Sequence, residues 1–153
     1  MFSDLKKDVL DAIEDINDLL TLYEPLLLRL EQNEPDIIEL AALGTVLHSF
    51  YNGIEGIFLL VSKKIDNETP NNPAWHQALL NQMMAVTEAR TCLISPDVAS
   101  VLAPYLKFRH FFRHAYAFML DWNRLKPLVG DLKSVWDAVR EDLIGFCVSI
   151  TEN

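Results

Sequence analysis

The chain has 153 residues, half of them apolar, and a formal net charge of -9. This length and apolar content suffice for one sizeable core, so we expect a single domain over residues 1–153. The balance of 13 basic against 22 acidic side chains argues against diffuse attraction to nucleic acid, because such binding neutralises many phosphates at once. A local basic site is compatible with that balance.

The sequence favours a soluble, cytoplasmic protein without a membrane anchor. Charges interrupt the apolar stretches before the run of about 20 apolar residues that a membrane span needs. The first residues, MFSDLKKDVLDAIEDI, form an acidic amphipathic pattern rather than a signal peptide. Cys92 and Cys147 lie in apolar helical contexts without metal-ligand spacing, which predicts buried free thiols.

The first predicted element is a long amphipathic helix, because apolar residues recur at helical spacing from Leu5 to Leu30. Ser3 is placed to cap its start, and Pro25 could bend it. Its acidic face is typical of a solvated surface, and binding of a basic partner is the functional alternative. That face comprises Asp4, Asp8, Asp11, Glu14, Asp15 and Asp18.

A second helix is expected to run from the NEPD segment to about Ile65, with Pro35 in its first turn. Pro70 and Pro73 then lie among turn-forming Asn and Asp residues, which predicts a surface loop. A third, shorter helix fits residues 74–91.

The fourth helix is predicted to begin at Ser95 as its cap, followed by Pro96, and to include the segment FRHFFRHAY at residues 108–116. The last helix is expected to begin between Arg124 and Asp131. Its apolar stripe has offsets of three and four and comprises Leu132, Val135, Trp136, Val139, Leu143, Phe146, Cys147 and Ile150.

No useful length of sequence alternates as a strand would, so the predicted fold class is all-α. Short breaks between long helices favour an antiparallel bundle of four main helices with one short addition.

The segment at 108–116 is a local reversal of charge in an acidic chain. On a helix that advances about 100° per residue, Arg109, Arg113 and Tyr116 fall close together, with His110 and His114 on the adjoining strip. Such a face is suited to handling phosphate. The opposite arc is expected to pack in the bundle and comprises Phe108, Phe111, Phe112, Ala115 and Met119.

These side chains are sufficient for metal-free RNA cleavage. Histidine can remove the proton of a ribose 2′-OH, which then attacks the adjacent phosphorus, while a guanidinium stabilises the developing charge. A metal site is the weaker alternative, because His110 and His114 have no convincing acidic third ligand and the neighbouring arginines would repel a cation. We therefore expect neither metal nor cofactor. Packing histidines that bond to backbone or carboxylate are the structural alternative.

The spacing of Arg109, His114 and Tyr116 resembles the R-x4-H-x-Y pattern of the HEPN superfamily of ribonucleases, particularly its HepT group. His110 stands where that family commonly has a polar residue directly after its arginine. The segments YNGIEGIF and WHQALLNQM also resemble HepT-like sequences, so the similarity covers most of the chain and is weaker outside the motif.

The resemblance implies a bundle that forms a homodimer with two motifs facing one another, and that cuts RNA without a metal. It implies a toxin paired with a minimal nucleotidyltransferase antitoxin, which can attach AMP to the motif tyrosine, here Tyr116. Arg109 and His114 would then be catalytic, with His110 and Arg113 positioning the RNA. The rival function is a noncatalytic helical adaptor that presents substrate to a separate nucleotidyltransferase.

Other residues have a structural reading beside the functional one. Glu55 lies among apolar neighbours, so we expect Arg109 or Arg113 as its counterion, either as a helix-joining ion pair or to position the catalytic arginine. Tyr51 and Asn52 could line the same cleft. Trp75 and His76 are expected to anchor the start of a helix. Close packing at a helix crossing or dimer seam would account for Gly44, Gly53 and Gly56.

Overall fold

The computed structural model describes residues 2–151 and, at Ala117, the backbone alone. This part of the chain is all-helical and holds no strand, as the sequence predicts. The helices are α1 Ser3–Arg29, α2 Ile37–Val61, α3 Trp75–Met83, α4 Pro96–His114 and α5 Trp122–Thr151. A π-helical turn, Ser62–Asp66, extends α2, and a 3-10 turn, Ala117–Met119, lies between α4 and α5. The expected four main helices and one short one are therefore confirmed.

The core is built around α2, which contacts all four other helices. Leu43, Leu47, Phe50, Ile54 and Phe58 on this helix are fully buried. By length and composition, the helical run Ile37–Asp66 could cross a membrane. Most of its apolar side chains pack against the neighbouring helices, as in the core helix of a folded bundle, whereas Ile37 and Ile38 at its start are exposed.

Three residues were predicted to mark helix starts, and the prediction is wrong for Ser3 and Pro35 and confirmed for Ser95. Ser3 lies inside α1, because Phe2, which packs against the core, takes the cap position without a side-chain hydrogen bond. Pro35 precedes the start of α2 because the Asp36 carboxylate accepts a hydrogen bond from the Glu39 N–H in a capping box. Ser95 caps α4 as predicted, since its side chain accepts from the Val98 N–H.

Helix α3 ends at Met83, eight residues before the predicted end at residue 91. The following segment wraps around the buried guanidinium of Arg90, which donates to the carbonyl oxygens of Gln82 at 3.1 Å and Ala85 at 2.7 Å. The same guanidinium bonds both oxygens of Asp66, at 2.7 and 2.8 Å. This clamp joins the end of α3 to the π-helical turn after α2.

Helix α5 begins at Trp122, a little before the predicted start, and continues through Pro127. All eight residues of its predicted apolar stripe are buried.

Both cysteines are free thiols; Cys147 is buried as expected, whereas Cys92 is only half-buried. Burial raises the pKa of the Cys147 thiol.

Glycines mark two helix crossings. A Cβ at Gly44 would lie 2.8 Å from Phe112 Cε2, and one at Gly53 would lie 2.9 Å from Ile16 Cγ1. These contacts allow α2 to approach α4 and α1 closely. Gly56 differs, because a Cβ there would meet no atom within 4 Å. Within the protomer, the packing explanation is therefore wrong for Gly56.

Candidate functional site

Arg109 lies at the centre of a polar cluster between α2, α3 and α4. Its Nε donates to Asn52 Oδ1 at 2.5 Å, and its NH1 lies 3.4 Å from His76 Nε2. Its NH2 lies 3.8 Å from Glu55 Oε1, so of the two arginines expected as the counterion of Glu55, Arg109 and Arg113, it is Arg109 that faces the carboxylate. Only 12 % of the Arg109 side chain is exposed. Three side chains from two other helices thus hold one guanidinium.

Glu55 is buried and shared between two partners. Its Oε2 lies 2.8 Å from His76 Nδ1, while Oε1 faces Arg109. The ring of Trp75 lies against that of His76, with centroids 3.6 Å apart. The interpretation of His76 as only an anchor for the start of a helix is therefore incomplete, because its imidazole also bonds to the site.

The cluster extends along α2 to His48, whose Nε2 lies 2.9 Å from Asn52 Nδ2. Because Asn52 Oδ1 accepts from an arginine that has only donors, Nδ2 is the amide group that faces His48, and His48 Nε2 accepts. Burial, aided by the charges of Arg109 and Arg113, lowers the pKa of His48. The His48 ring also packs on Phe112, with centroids 5.1 Å apart. His48 is thus a neutral residue of the site.

Tyr51 lies behind the cluster rather than in its accessible part. The side chain is fully buried, and its hydroxyl has no hydrogen-bond partner within residues 2–151. Burial and, secondarily, the nearby Glu55 carboxylate raise the pKa of Tyr51. Tyr51 therefore remains a neutral phenol at physiological pH.

The remaining basic residues lie at the open end of α4. His110, Arg113 and His114 are all exposed, and the rings of His110 and His114 are 5.2 Å apart. His114 lies five positions after Arg109 on the helix, which corresponds to a rotation of about 140° and a rise of about 7.5 Å. Arg109 therefore faces α2 and α3, whereas His114 lies on another side of α4.

Tyr116 was predicted to lie on the Arg109 face of the helix. It does not, because α4 ends at His114 and Ala115 is extended. The chain turns back here, since Leu120 is buried beside Gly44. Tyr116 is 69 % exposed, and its ring stacks on that of Phe118 with an angle of 6° between their planes. The predicted helical register between Arg109 and Tyr116 is wrong, although the tyrosine is accessible.

The apolar side of α4 is also narrower than predicted. Phe108 is buried, Phe112 packs against the core and Ala115 is half-buried. Phe111 and Met119, by contrast, are exposed by 39 % and 50 %. The early end of the helix removes Met119 from the predicted arc.

A model of the HepT-like protein family matches residues 42–150 of the chain. The match covers more than two thirds of the sequence and includes all residues of the candidate site, from His48 to Tyr116. The chain belongs to the HepT-like family. No curated protein and no solved structure matched it.

The site of this HepT-like chain does not resemble a metal centre. Within residues 2–151, no three His, Cys, Asp or Glu side chains are grouped so that they could hold a metal ion. Arg109 also faces Glu55, the buried carboxylate of the cluster, where its positive charge would oppose a bound cation.

Two residues of the HepT-like site were missed by the sequence reasoning. His48, Asn52 and Glu55 have the offsets i, i+4 and i+7, which place all three on one face of a helix. This signal could have identified His48. His76 follows a loop that contains two prolines, and no helical spacing relates it to Arg109.

Proposed function

We propose that this HepT-like chain is a metal-independent endoribonuclease, the toxin of a pair whose antitoxin is a minimal nucleotidyltransferase. The observation that carries the proposal is the fixation of Arg109 by Asn52, Glu55 and His76, next to a helix end that exposes His110, Arg113 and His114. A fixed guanidinium and exposed imidazoles can supply the charge stabilisation and the proton transfers of metal-free phosphodiester cleavage.

The proposed reaction uses the 2′-OH of the substrate as nucleophile. His114 removes the 2′-OH proton, the 2′-oxygen bonds to phosphorus, and the bond from phosphorus to the 5′-oxygen breaks. The protonated imidazole then gives a proton to the leaving 5′-oxygen. Arg109 stabilises the charge on the nonbridging oxygens, since its guanidinium has N–H donors beyond those that bond Asn52 and His76. The products are a 2′,3′-cyclic phosphate and a 5′-hydroxyl.

We also propose that the active form is a homodimer. On one protomer, Arg109 and His114 lie on different sides of α4, so a single chain does not direct both side chains to one phosphate. A two-fold axis near the exposed end of α4 would bring two sets of these side chains together. In that arrangement, His110 and Arg113 can contact the RNA backbone from either side of a cleft.

One feature favours the noncatalytic adaptor as a second candidate. Glu55 faces Arg109 across 3.8 Å in a largely buried setting, as an ion pair that only joins two helices would. An adaptor would require the fold and the partner surface, and it would not require His114.

The test is expression of the chain in bacteria, scored for growth arrest and loss of RNA. The ribonuclease predicts that the wild type arrests growth, whereas Arg109→Lys and His114→Ala do not. Lys107→Ala, an exposed change on the same helix, is the matched control and should remain toxic. Circular dichroism of each purified variant checks the fold. If cells that express the wild type grow as well as cells that express His114→Ala, and the wild-type protein binds a nucleotidyltransferase tightly, the adaptor function is supported.

A further inference from the structure

His76 is a histidine outside the R-x4-H-x-Y motif that bonds directly to the motif arginine. It lies in the first turn of α3, with 19 % of its side chain exposed. Nδ1 is 2.8 Å from Glu55 Oε2 and Nε2 is 3.4 Å from Arg109 NH1. The imidazole therefore bridges the carboxylate and the guanidinium.

The directions of these two hydrogen bonds follow from the groups involved. Arginine has only donors, so Arg109 NH1 donates and His76 Nε2 accepts. Glu55 is an acceptor when ionised, so His76 Nδ1–H donates to Oε2. The tautomer that satisfies both hydrogen bonds carries its proton on Nδ1 and leaves Nε2 as the acceptor.

The bridge also determines how Glu55 meets Arg109. A free carboxylate beside a guanidinium favours two parallel hydrogen bonds. Here Oε2 is bonded to His76, and only Oε1 faces Arg109, at 3.8 Å. With Oε2 turned to His76, Glu55 does not form the two parallel hydrogen bonds to the guanidinium.

Residues outside the motif hold His76 in position. Its ring lies against Trp75, with centroids 3.6 Å apart. The other end of α3 is held by the buried Arg90, which bonds Gln82 and Asp66. A short helix anchored at both ends can hold an imidazole in one orientation.

We propose that His76 is a positioning residue that acts through Arg109. By occupying Glu55 Oε2 and accepting from Arg109 NH1, it keeps the guanidinium loosely paired and directed toward the phosphate of the substrate. This inference rests on the proposed ribonuclease function. Without His76, Glu55 pairs with Arg109 through both oxygens and draws it away from the phosphate.

The first experiment measures RNA cleavage by His76→Ala, His76→Gln and, as a matched control on the exposed side of α3, Gln77→Ala. Misplacement of a catalytic group by about 1 Å can reduce a rate about 100-fold, so His76→Ala should lower kcat by up to about 100-fold, with a smaller change in KM. Glutamine has one donor and one acceptor group, as neutral imidazole has, and should recover part of kcat. Equal kcat for wild type and His76→Ala would overturn the proposal.

The second experiment tests whether Glu55 forms an ion pair with Arg109 through both carboxylate oxygens when the His76 imidazole is absent. Glu55→Gln removes the charge that would trap the guanidinium, so its addition to His76→Ala should restore part of the lost kcat. A merely structural role predicts that the double variant is as inactive as His76→Ala or worse. That result would contradict the positioning role.

A third measurement does not depend on catalysis. Nitrogen-15 NMR of the imidazoles should show His76 protonated on Nδ1 and unprotonated on Nε2, and an Nε2–H tautomer would overturn the proposal.

A binding experiment separates the two proposals. If the wild type cleaves no RNA, the proposed function fails. Binding of a 2′-O-methyl RNA oligonucleotide, which cannot be cleaved by this route, then tests the positioning role of His76 separately. Weaker binding by His76→Ala than by Gln77→Ala supports the positioning role, and equal binding contradicts it.

Discussion

Asn52 Oδ1 accepts a hydrogen bond from Arg109 Nε at 2.5 Å, across 57 residues of sequence. The contact ties the motif helix α4 to the core helix α2. It also orients the Asn52 amide so that its nitrogen donates to His48. The position of the motif arginine and the protonation of the half-buried His48 are therefore linked through one side chain.

This link predicts a pH dependence of stability. The pKa of His48 is lowered from its ordinary 6.5 in the folded state, by burial and then by Arg109 and Arg113. Below pH 6.5 His48 binds a proton in the unfolded chain more readily than in the folded chain. The contribution of His48 to the free energy of unfolding is therefore lost as pH falls. Above pH 6.5 this contribution is fully present.

Urea unfolding between about pH 5 and pH 8 measures this effect. The wild type should lose stability toward the acid end, and His48→Gln should lose less. His110→Gln, which changes an exposed histidine on α4, should retain the wild-type slope. Identical slopes for wild type and His48→Gln would refute the assignment.

Substitution by alanine is expected to have opposite effects on stability at Gly44 and at Gly56, although both glycines lie in α2. Alanine at position 44 would bring its Cβ to 2.8 Å from Phe112, so Gly44→Ala should destabilise the fold by about 1 to 3 kcal/mol. Alanine at position 56 meets nothing within 4 Å and should stabilise the helix by about 0.5 to 1 kcal/mol. Thermal unfolding of both variants checks the sign, and destabilisation by Gly56→Ala would reveal a contact that the protomer lacks.

The Arg90–Asp66 ion pair is predicted to be a main stabilising contact of α3. Asp66→Asn would leave the guanidinium of Arg90, which is fully buried, without its counterion. Loss of one partner of such a pair costs about 3 to 5 kcal/mol. Asp11→Asn, in the exposed pair with Lys7, should cost less than about 1 kcal/mol. Comparable losses in urea unfolding would argue against the clamp.

Tyr116 is predicted to be the site of control by the antitoxin. Its side chain is 69 % exposed just beyond His114, so it is accessible to a nucleotidyltransferase. An AMP adduct would place a negatively charged phosphate and an adenosine group next to the exposed basic residues of α4. Tyr116→Phe should retain cleavage and resist inactivation by the cognate enzyme with ATP.

Mass spectrometry of the treated protein, run beside an RNA cleavage assay, checks this prediction. Phe118→Leu is a useful control, since it disrupts the stacked partner of Tyr116 and leaves the hydroxyl in place. Modification at a different residue, or full activity of protein modified at Tyr116, would exclude this mechanism.

The homodimer is predicted from the divergent directions of Arg109 and His114. Solution scattering at micromolar concentration should give the mass of two chains. Mixing the inactive variants Arg109→Lys and His114→Ala should restore some cleavage if the working site takes one residue from each protomer. A monomer that cleaves RNA at the full rate would contradict the dimer.

Much of the fold and part of the site follow from the sequence. The apolar stripe of α5 and the Ser95 cap are local patterns, and the structure contains both. The pairing of Glu55 with an arginine of the motif was also predictable, because a carboxylate among apolar neighbours requires a counterion, but the choice of Arg109 over Arg113 was not.

Three of the differences arise where a contact outside the helical repeat decides the structure. Arg90 ends α3 early because its guanidinium binds the carbonyl oxygen of Gln82 in the last turn and that of Ala85 just beyond it. Leu120 is buried beside Gly44, so α4 stops before Tyr116. His76 reaches Arg109 only through the path of the preceding loop. Helical periodicity contains no information about these three contacts.

The most direct test of the central claim is cleavage of a synthetic RNA by the purified protein in excess EDTA, with analysis of the product ends. We predict cleavage that leaves a 2′,3′-cyclic phosphate, is lost in His114→Ala and Arg109→Lys, and persists in Lys107→Ala. RNA that stays intact with the wild type, or cleavage that stops in EDTA and returns with a divalent ion, would contradict a metal-independent ribonuclease.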